Sequence, residues 1–420
     1  MQKTPQSLRL HIALLGRRNV GKTSDLNAVT RQNVSIVSDT AGTTTDPVEK
    51  PMELLPIGPV VFIDTAGIDD VGDLGELRTE KTRTVYDRAD VGVLVCEPGH
   101  WGDFENGVLT DLSERKIPAI VVFNKTDLAT PDPGVIGRLD QEAIPHLNTV
   151  ASEARGMPDL RQALIDSVPP EFLEPPAILG DLVPEGDMAI LVTPIDLEAP
   201  KGRLILPQVQ AIRDLLDHNT YCVVVKENGL ENALAQLKRP PALVVTDSQA
   251  FGEVARMTPT TVPLTSFSIV FARFKGDLAA FVDGARAIDR LVPGDNVLVA
   301  EACSHHPIGE DIGRVKIPHW LREYVGGDLN FTTVQGRDFP DDLSPFKLVI
   351  HCASCVWNRR SVLSRIMRCR AAGVPMTNYG VCIAHAYEIL DRAIEPFRGQ
   401  LDLPARPAPA TRVSRPAPHQ

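Results

Sequence analysis

The sequence predicts an α/β protein of three successive domains: a P-loop nucleotide-binding domain, a small parallel α/β layer, and a second α/β layer with cysteines at its strand ends. Three observations carry this expectation. Short apolar runs rich in Val, Ile and Leu alternate with longer helix-patterned stretches along the chain, as parallel strands and crossover helices do. A glycine-containing phosphate loop follows the first of those runs. Pro169, Pro170, Pro175 and Pro176 then mark a boundary beyond which the alternation starts again. With 420 residues, 43% of them hydrophobic, the chain has ample material for several cores. The net charge of −11 argues against broad nucleic-acid affinity, which needs clustered Lys and Arg. Seven scattered cysteines do not make a secreted disulfide scaffold. The apolar part of the first 16 residues is too short for a signal segment, and no run reaches membrane-spanning length. A cytoplasmic, reducing setting is the expectation, and it suits thiolate ligands.

In the first domain, residues 1–172, a strand at 8–15 leads into Gly16-Arg17-Arg18-Asn19-Val20-Gly21-Lys22-Thr23, a complete G-x-x-x-x-G-K-[ST] in its required context. Gly16 and Gly21 let backbone N–H groups wrap phosphates at a helix N-terminus. Lys22 is expected to reach the β and γ phosphates and Thr23 to coordinate Mg²⁺, with Ser24 completing the nucleotide contacts. Three further segments follow in the order a GTPase requires. Residues 39–46 (DTAGTTTD) form a Thr-rich loop in which Thr44 is the candidate second Mg²⁺ hydroxyl. A strand at 60–63 ends in Asp64-Thr65-Ala66-Gly67, with Asp64 facing the magnesium shell and the Gly67 N–H meeting the γ-phosphate. A strand at 117–123 ends in Asn124-Lys125-Thr126-Asp127. The Asp127 carboxylate can accept from both the ring N–H and the amino group of guanine, which adenine cannot offer. Ser152, in Ala151-Ser152-Glu153, belongs to the guanine-side loop. Any one of these segments alone reads as a turn or a cap; four in order read as a GTP site. Lys22, Thr44, Asp64 and Gly67 are the candidate catalytic groups. Ile68 follows Gly67, so the water-positioning glutamine of some GTPases is absent there, and slow hydrolysis is expected unless positive charge comes from elsewhere.

On these motifs the first domain resembles the GTPases that include the tRNA-modification and ribosome-assembly G proteins. Potassium-activated members of that group carry an Asn at the place of Asn19, so the resemblance implies K⁺ as an activator with Asn19 among its ligands. Two residues depart from the pattern. Asp25 stands where the family has an apolar helix residue and Arg31 where a Gly is usual.

The middle, residues 180–267, has strand-like runs at 188–192, 221–225, 242–246 and 261–264, separated by helical stretches at 207–216, 229–238 and 248–256. The alternation implies a small parallel layer. It holds no catalytic constellation, with His218 a helix-end residue and Cys222 a core residue. It reads as an interaction module, and two such sheets joined edge to edge would make a homodimer.

In the last domain, residues 268–395, a covering helix is expected over 271–291 and a strand at 296–300, followed by Cys303-Ser304-His305-His306. A helical region at 310–324, interrupted at Pro318, and a strand at 329–334 come next. The run at 346–350 then hands over to His351-Cys352-Ala353-Ser354-Cys355 and a helix at 358–372, before a last strand at 374–377. If the two Cys-bearing strands lie parallel in one sheet, both segments emerge at its carboxyl edge, where open α/β sheets place their ligands. Thiolates with imidazole select zinc or an iron-sulfur cluster over magnesium or calcium. Spacing leaves that choice open, since three Cys and one His make a closed zinc site and clusters usually take four Cys. Cys369 and Cys382 fall inside helices and read as core. The stretch 396–420 is rich in Pro, Ala and Arg and is expected to be disordered.

The motifs GRRNVGKT, VSDTAGTTTDPV, ELLPIGPV, DTAGIDD and GELR, then ACSHHP, GEDIGRVKIP, DFPDDLSPFKLVIHCASC, NRRSVLSRI and GVPMTNYGV, resemble the HydF family of [FeFe]-hydrogenase maturation GTPases. The resemblance covers both ends closely and the middle by architecture. It implies a [4Fe-4S] cluster on Cys303, Cys352 and Cys355, with His305 or His351 as a labile fourth ligand. It also implies a transient two-iron subcluster as cargo, loaded by the radical-SAM maturases HydE and HydG and delivered to the apo-hydrogenase HydA. Ala353-Ser354 replaces the Gly-rich pair usual between the two thiols. The alternatives are an RNA- or ribosome-associated K⁺-dependent GTPase with a structural zinc, and a stand-alone redox enzyme.

Overall fold

The computed structural model describes residues 5–30, 48–55, 57–65, 84–173, 176–194, 204–302, 311–336 and 338–401. They fall into two compact units, Met1–Pro175 and Pro176–Gln420. The first unit carries strands β1 (Leu10–Leu15), β2 (Val48–Leu54), β3 (Gly58–Asp64), β4 (Val91–Cys96), β5 (Ala119–Phe123) and β6 (His146–Asn148), with helices α1 (Lys22–Thr30), α2 (Asp103–Glu114), α3 (Pro133–Gln141), α4 (Met157–Asp166) and α5 (Pro170–Leu173). The strands form one sheet in the order β2-β3-β1-β4-β5-β6. Every pairing is parallel except β2 with β3. Because helices cover both faces, β1 is buried at every position, and its side chains alternate between two cores. Leu10, Ile12 and Leu14 join one core, and Ala13 and Leu15 the other. The sequence analysis did not anticipate β2. Its VEKPMEL carries Pro51 and three charged residues, a composition only an edge strand tolerates, and an edge is where it lies.

The second unit contains two four-stranded parallel sheets. The first comprises β7 (Met188–Val192), β8 (Tyr221–Val225), β9 (Leu243–Thr246) and β10 (Leu264–Ser266) in the order β10-β9-β7-β8, with α6 (Leu206–Asp217), α7 (Leu230–Gln236) and α8 (Phe251–Met257) between them. After α9 (Phe267–Lys275) and α10 (Leu278–Arg286) comes the second sheet. It comprises β11 (Asn296–Glu301), β12 (Asn330–Gln335), β13 (Leu348–His351) and β14 (Met376–Asn378) in the order β12-β11-β13-β14. Helices α11 (Ile317–Val325), α12 (Arg359–Ala371), α13 (Tyr379–Ala386) and α14 (Leu390–Ile394) complete it. One continuous apolar core runs through the unit from Ile178 to Phe397 and takes in Cys369 and Cys382, as their positions in helices implied.

Two expectations need correction. The helix expected over 271–291 is two helices. Gly276 breaks it, with a Phe281 ring atom 2.5 Å from where a Cβ would sit, and the Asp277 side chain caps α10 by accepting from Ala280 N at 3.0 Å. Pro318 does not interrupt a helix; it lies in the first turn of α11, where its missing N–H costs nothing, after a π-helical turn at Ile312–Lys316. Among the described residues no helix is long and apolar enough to cross a membrane.

Candidate functional site

The loop from β1 to α1 is shaped by three residues with positive φ: Gly16 at 140°, Asn19 at 64° and Gly21 at 99°. A Cβ on Gly21 would stand 2.1 Å from Asn124 Nδ2. That amide is there because it donates to Val20 O at 2.9 Å, while Asn124 Oδ1 accepts from Thr149 Oγ1 at 3.2 Å and from Ala151 N at 3.1 Å. Asn124 therefore ties the phosphate loop to both guanine-side segments. Lys125, at φ 62°, donates to Asn19 O at 2.8 Å and pairs with Glu97. Asp127 is exposed, and its carboxylate has no partner among the described residues; Ser24 and Ser152 are also exposed.

Lys22 is buried and donates to Gly16 O at 2.8 Å and Arg17 O at 2.7 Å. Thr23 Oγ1 donates to Asp64 Oδ2 at 3.0 Å, so β3 delivers its terminal carboxylate to the start of α1. Burial raises the pKa of Asp64, opposed by Lys22, Thr23 and Lys50. A buried carboxylate and a hydroxyl held together beside a phosphate loop suit Mg²⁺, which takes few protein ligands and completes its shell with phosphate and water. Thr44 and Gly67 lie outside the described residues. Sequence reasoning missed Glu105, which is 1% exposed and holds Arg17 through two contacts at 2.7 and 3.1 Å. Asp25 is 2% exposed, and neither carboxyl oxygen has a hydrogen-bond partner among the described residues. Burial pushes its pKa up to about 7, and Thr149 beside it, whose hydroxyl goes to Asn124, lowers it only in part.

In the second unit β11 and β13 are parallel neighbours, with Ala300 opposite His351. Their carboxyl ends therefore share one rim, as the sequence analysis expected. Cys352 N donates to Ala300 O at 3.0 Å, and Ala302 N donates to Cys352 Sγ at 3.1 Å. Ala302 directly precedes Cys303; Cys303, His305 and His306 lie outside the described residues. Cys352 and Cys355 are partly exposed and not in disulfides, in contrast to the buried Cys96, Cys369 and Cys382. A backbone N–H on one sulfur and two partly exposed cysteines three residues apart, with a third cysteine following Ala302 in the sequence, form a donor set that suits a thiolate-held metal centre. Cys352, Cys355 and His351 do not by themselves make a three-ligand group among the described residues.

His351, the last residue of β13, is fully buried. Its Nδ1 lies 2.8 Å from Cys352 O and 3.0 Å from Ser354 Oγ, and its Nε2 lies 2.8 Å from Arg365 Nη1. These contacts fit a neutral ring that donates from Nδ1 and accepts at Nε2. Burial, with Arg365 alongside, lowers its pKa to about 3. As placed, Nδ1 serves the turn and Nε2 is taken by Arg365, so ligation through Nε2 would require Arg365 to let go. Arg365 also donates to Gly336 O at 2.6 Å and covers the rings of Trp357 and Phe339. Ser354 sits at φ 54°, the left-handed region that favours glycine, and its hydroxyl bonds within the turn help hold it there. Lys275, the last residue of α9, is 2% exposed and donates to Ser354 O at 3.2 Å, Cys355 O at 3.0 Å and Trp357 O at 2.6 Å. Burial lowers its pKa to about 8, with Cys355 and Cys352 pulling it back up. Nothing in the sequence announced Lys275 or Arg365, because their partners are set by tertiary packing; Ser354 was marked only as a replacement within a pair usually rich in Gly, a signal that fits its positive φ.

Comparison with known proteins matches three successive stretches. Residues 11–125 match the 50S ribosome-binding GTPase family, residues 178–276 the hydrogen maturase F dimerization domain, and residues 279–396 the hydrogen maturase F tetramerization domain. The last two together cover more than half of the chain. The tRNA modification GTPase MnmE of Synechococcus sp. (strain JA-3-3Ab) is 39% identical over 155 residues, 36% of this chain and 32% of that protein. GTPase Der of a Nitratiruptor species is 35% identical over 132 residues, 30% of this chain and 28% of that protein. The chain thus spans about a third of the length of these curated relatives. The G domain of the T. maritima FeoB iron transporter is 22% identical with a TM-score of 0.31, covering 38% of this chain and 99% of that one.

Proposed function

Because the chain belongs to the hydrogen maturase F family, a GTPase domain followed by that family's two association domains, we propose that it is a GTP-hydrolysing scaffold and carrier in hydrogenase maturation. GTP binds over the loop from Gly16 to Ser24. Lys22 turns from the loop carbonyls onto the β and γ phosphates, and Thr23, Asp64 and Thr44 hold Mg²⁺. The Gly67 N–H meets the γ-phosphate, Asn19 contributes to a K⁺ site, and Asp127 with Asn124, Lys125 and Ser152 selects guanine. Residues 1–172, 180–267 and 268–395 act as GTPase, dimerisation and cluster-binding domains. Dimerisation along β8 is supported by its place at a sheet edge, with Tyr221 47% and Val224 41% exposed.

Cys303, Cys352 and Cys355 hold a [4Fe-4S] cluster. His305 is preferred to His351 as the fourth ligand, since the imidazole of His351 is engaged with Arg365. Such a cluster, when bound, supplies an exchangeable iron corner for a bridging group of the two-iron subcluster. The cargo comes from HydE and HydG and passes to HydA in the cytoplasm, and the nucleotide state tunes partner docking. The observation that carries this reading is the 3.1 Å contact between Ala302 N and Cys352 Sγ, which brings the chain to the threshold of Cys303 beside the Cys-x-x-Cys turn. Anaerobic reconstitution followed by iron and sulfide analysis and EPR of the reduced protein tests it. Wild type should bind four irons per chain and Cys352→Ser should lose the signal while still turning over GTP. Tight zinc binding with no paramagnetic signal would refute the cluster, and maturation retained by Cys352→Ser would refute the carrier role.

A further inference from the structure

The turn that carries Cys352 and Cys355 rests on a cation from a different part of the chain. Lys275 ends α9, about eighty residues earlier, within the stretch that matches the dimerization domain. An ammonium has three protons to donate, and this one meets three main-chain acceptors: Ser354 O, Cys355 O and Trp357 O, at 2.6–3.2 Å. The support is reciprocal. Arg359, on the first turn of α12 just beyond the cysteines, donates back to Phe274 O at 2.8 Å and Gly276 O at 3.2 Å at the end of α9. The α9 carbonyls are thus capped by a cation from the turn's own helix, and the turn's carbonyls by a cation from α9. Arg273 on the same helix end holds Asp181 at 2.7 Å and Ile178 O at 2.9 Å, so α9 is anchored at both sides. With its carbonyls gathered beneath it, the turn is held from below at three points while its thiols remain partly exposed.

We propose that Lys275 is a positioning residue for the metal centre. It fixes the Cys-x-x-Cys turn in a ligand-ready shape before metal arrives, and its ammonium group sets positive charge against the main-chain carbonyls of the turn. A fixed positive charge stabilises the more negative, reduced form of a cluster, so it raises the reduction potential, one of the levers by which proteins tune such centres. This inference rests on the cluster reading above.

The test uses the full-length protein, reconstituted anaerobically with iron and sulfide, as wild type, Lys275→Met and Lys275→Gln. Lys275→Gln keeps a hydrogen-bond donor and removes the charge, so it decides the question even if Lys275→Met fails to fold. Two quantities are read: the midpoint potential by EPR-monitored titration, and the rate at which a ferrous chelator strips iron. Lys275→Gln should shift the one-electron equilibrium about tenfold toward the oxidised form, about 59 mV more negative. Lys275→Met should in addition lose iron about tenfold faster. A Lys275→Gln midpoint equal to wild type overturns the proposal while leaving the cluster reading intact. Wild type that takes up no cluster overturns both.

Discussion

The phosphate loop after β1 and the cysteine turn after β13 both leave a buried parallel strand, both open a helix, and both rest on a buried lysine that donates to main-chain carbonyls. In the first, Lys22 reaches back five and six residues to Arg17 O and Gly16 O. In the second, Lys275 reaches about eighty residues along the chain to Ser354, Cys355 and Trp357. The backbone shapes are reached differently too. The phosphate loop uses Gly16 and Gly21 where φ is positive, and a side chain on Gly21 would strike Asn124. The cysteine turn uses Ser354 at φ 54° and holds it with its hydroxyl. A ligand loop can therefore be preorganised from within its own sequence or from across the fold, and only the first kind leaves a motif.

Substitutions at four positions would break or sharpen this contrast. Lys22→Ala removes the cation of the self-contained loop and should lower GTP turnover by about 10²–10³-fold in a phosphate-release assay; a drop of only a few-fold would deny Lys22 its phosphate role. Asp25→Leu tests the helix that this loop opens. The folded-state pKa of Asp25, about 7, lies above its ordinary 3.8. The stability it allows is therefore fully present below pH 3.8 and is lost as pH rises through 7, by at most about 4 kcal/mol. Asp25→Leu should raise the melting temperature of the first unit much more at pH 8 than at pH 5, and an equal gain at both would reject the protonated acid. Gly21→Ala should cost about 1–3 kcal/mol in denaturant unfolding, since φ 99° and Asn124 Nδ2 both oppose a Cβ. Ser354→Gly should be nearly neutral, relief of the positive φ offsetting the lost hydroxyl, whereas Ser354→Ala should cost about 1–2 kcal/mol. If the two Ser354 variants behave alike, the hydroxyl does not hold the turn.

Much of the protein was legible in the chain. Strands β7, β8, β9, β11 and β13 fall within a residue or two of the runs expected for them. Of these, β7, β9, β11 and β13 are legible because strands buried on both faces must be continuously apolar, while β8, YCVVV at a sheet edge, is legible only by its β-branched composition. The contact between Thr23 and Asp64 follows from motif order, since Asp64 ends β3 and Thr23 lies in the first turn of α1, which follows β1, the parallel neighbour of β3. The break at Gly276-Asp277 was written in the sequence as a glycine followed by a capping residue, but the helical period on either side concealed it. Strand β2 was not legible, because an edge position removes the apolar requirement by which strands are recognised.

By itself the sequence determined the α/β class, the nucleotide loop and the cysteines that come shortly after two apolar runs, all consequences of local pattern: period, glycine spacing and residues adjacent in the chain. Only the tertiary structure decided that β11 and β13 are neighbours, that the imidazole of His351 is given to Arg365, and that Lys275 lies beneath the cysteine turn. Those are contacts between residues from 14 to about 80 positions apart. Their partners are chosen by which surfaces the core brings together, and spacing along the chain carries no record of that choice.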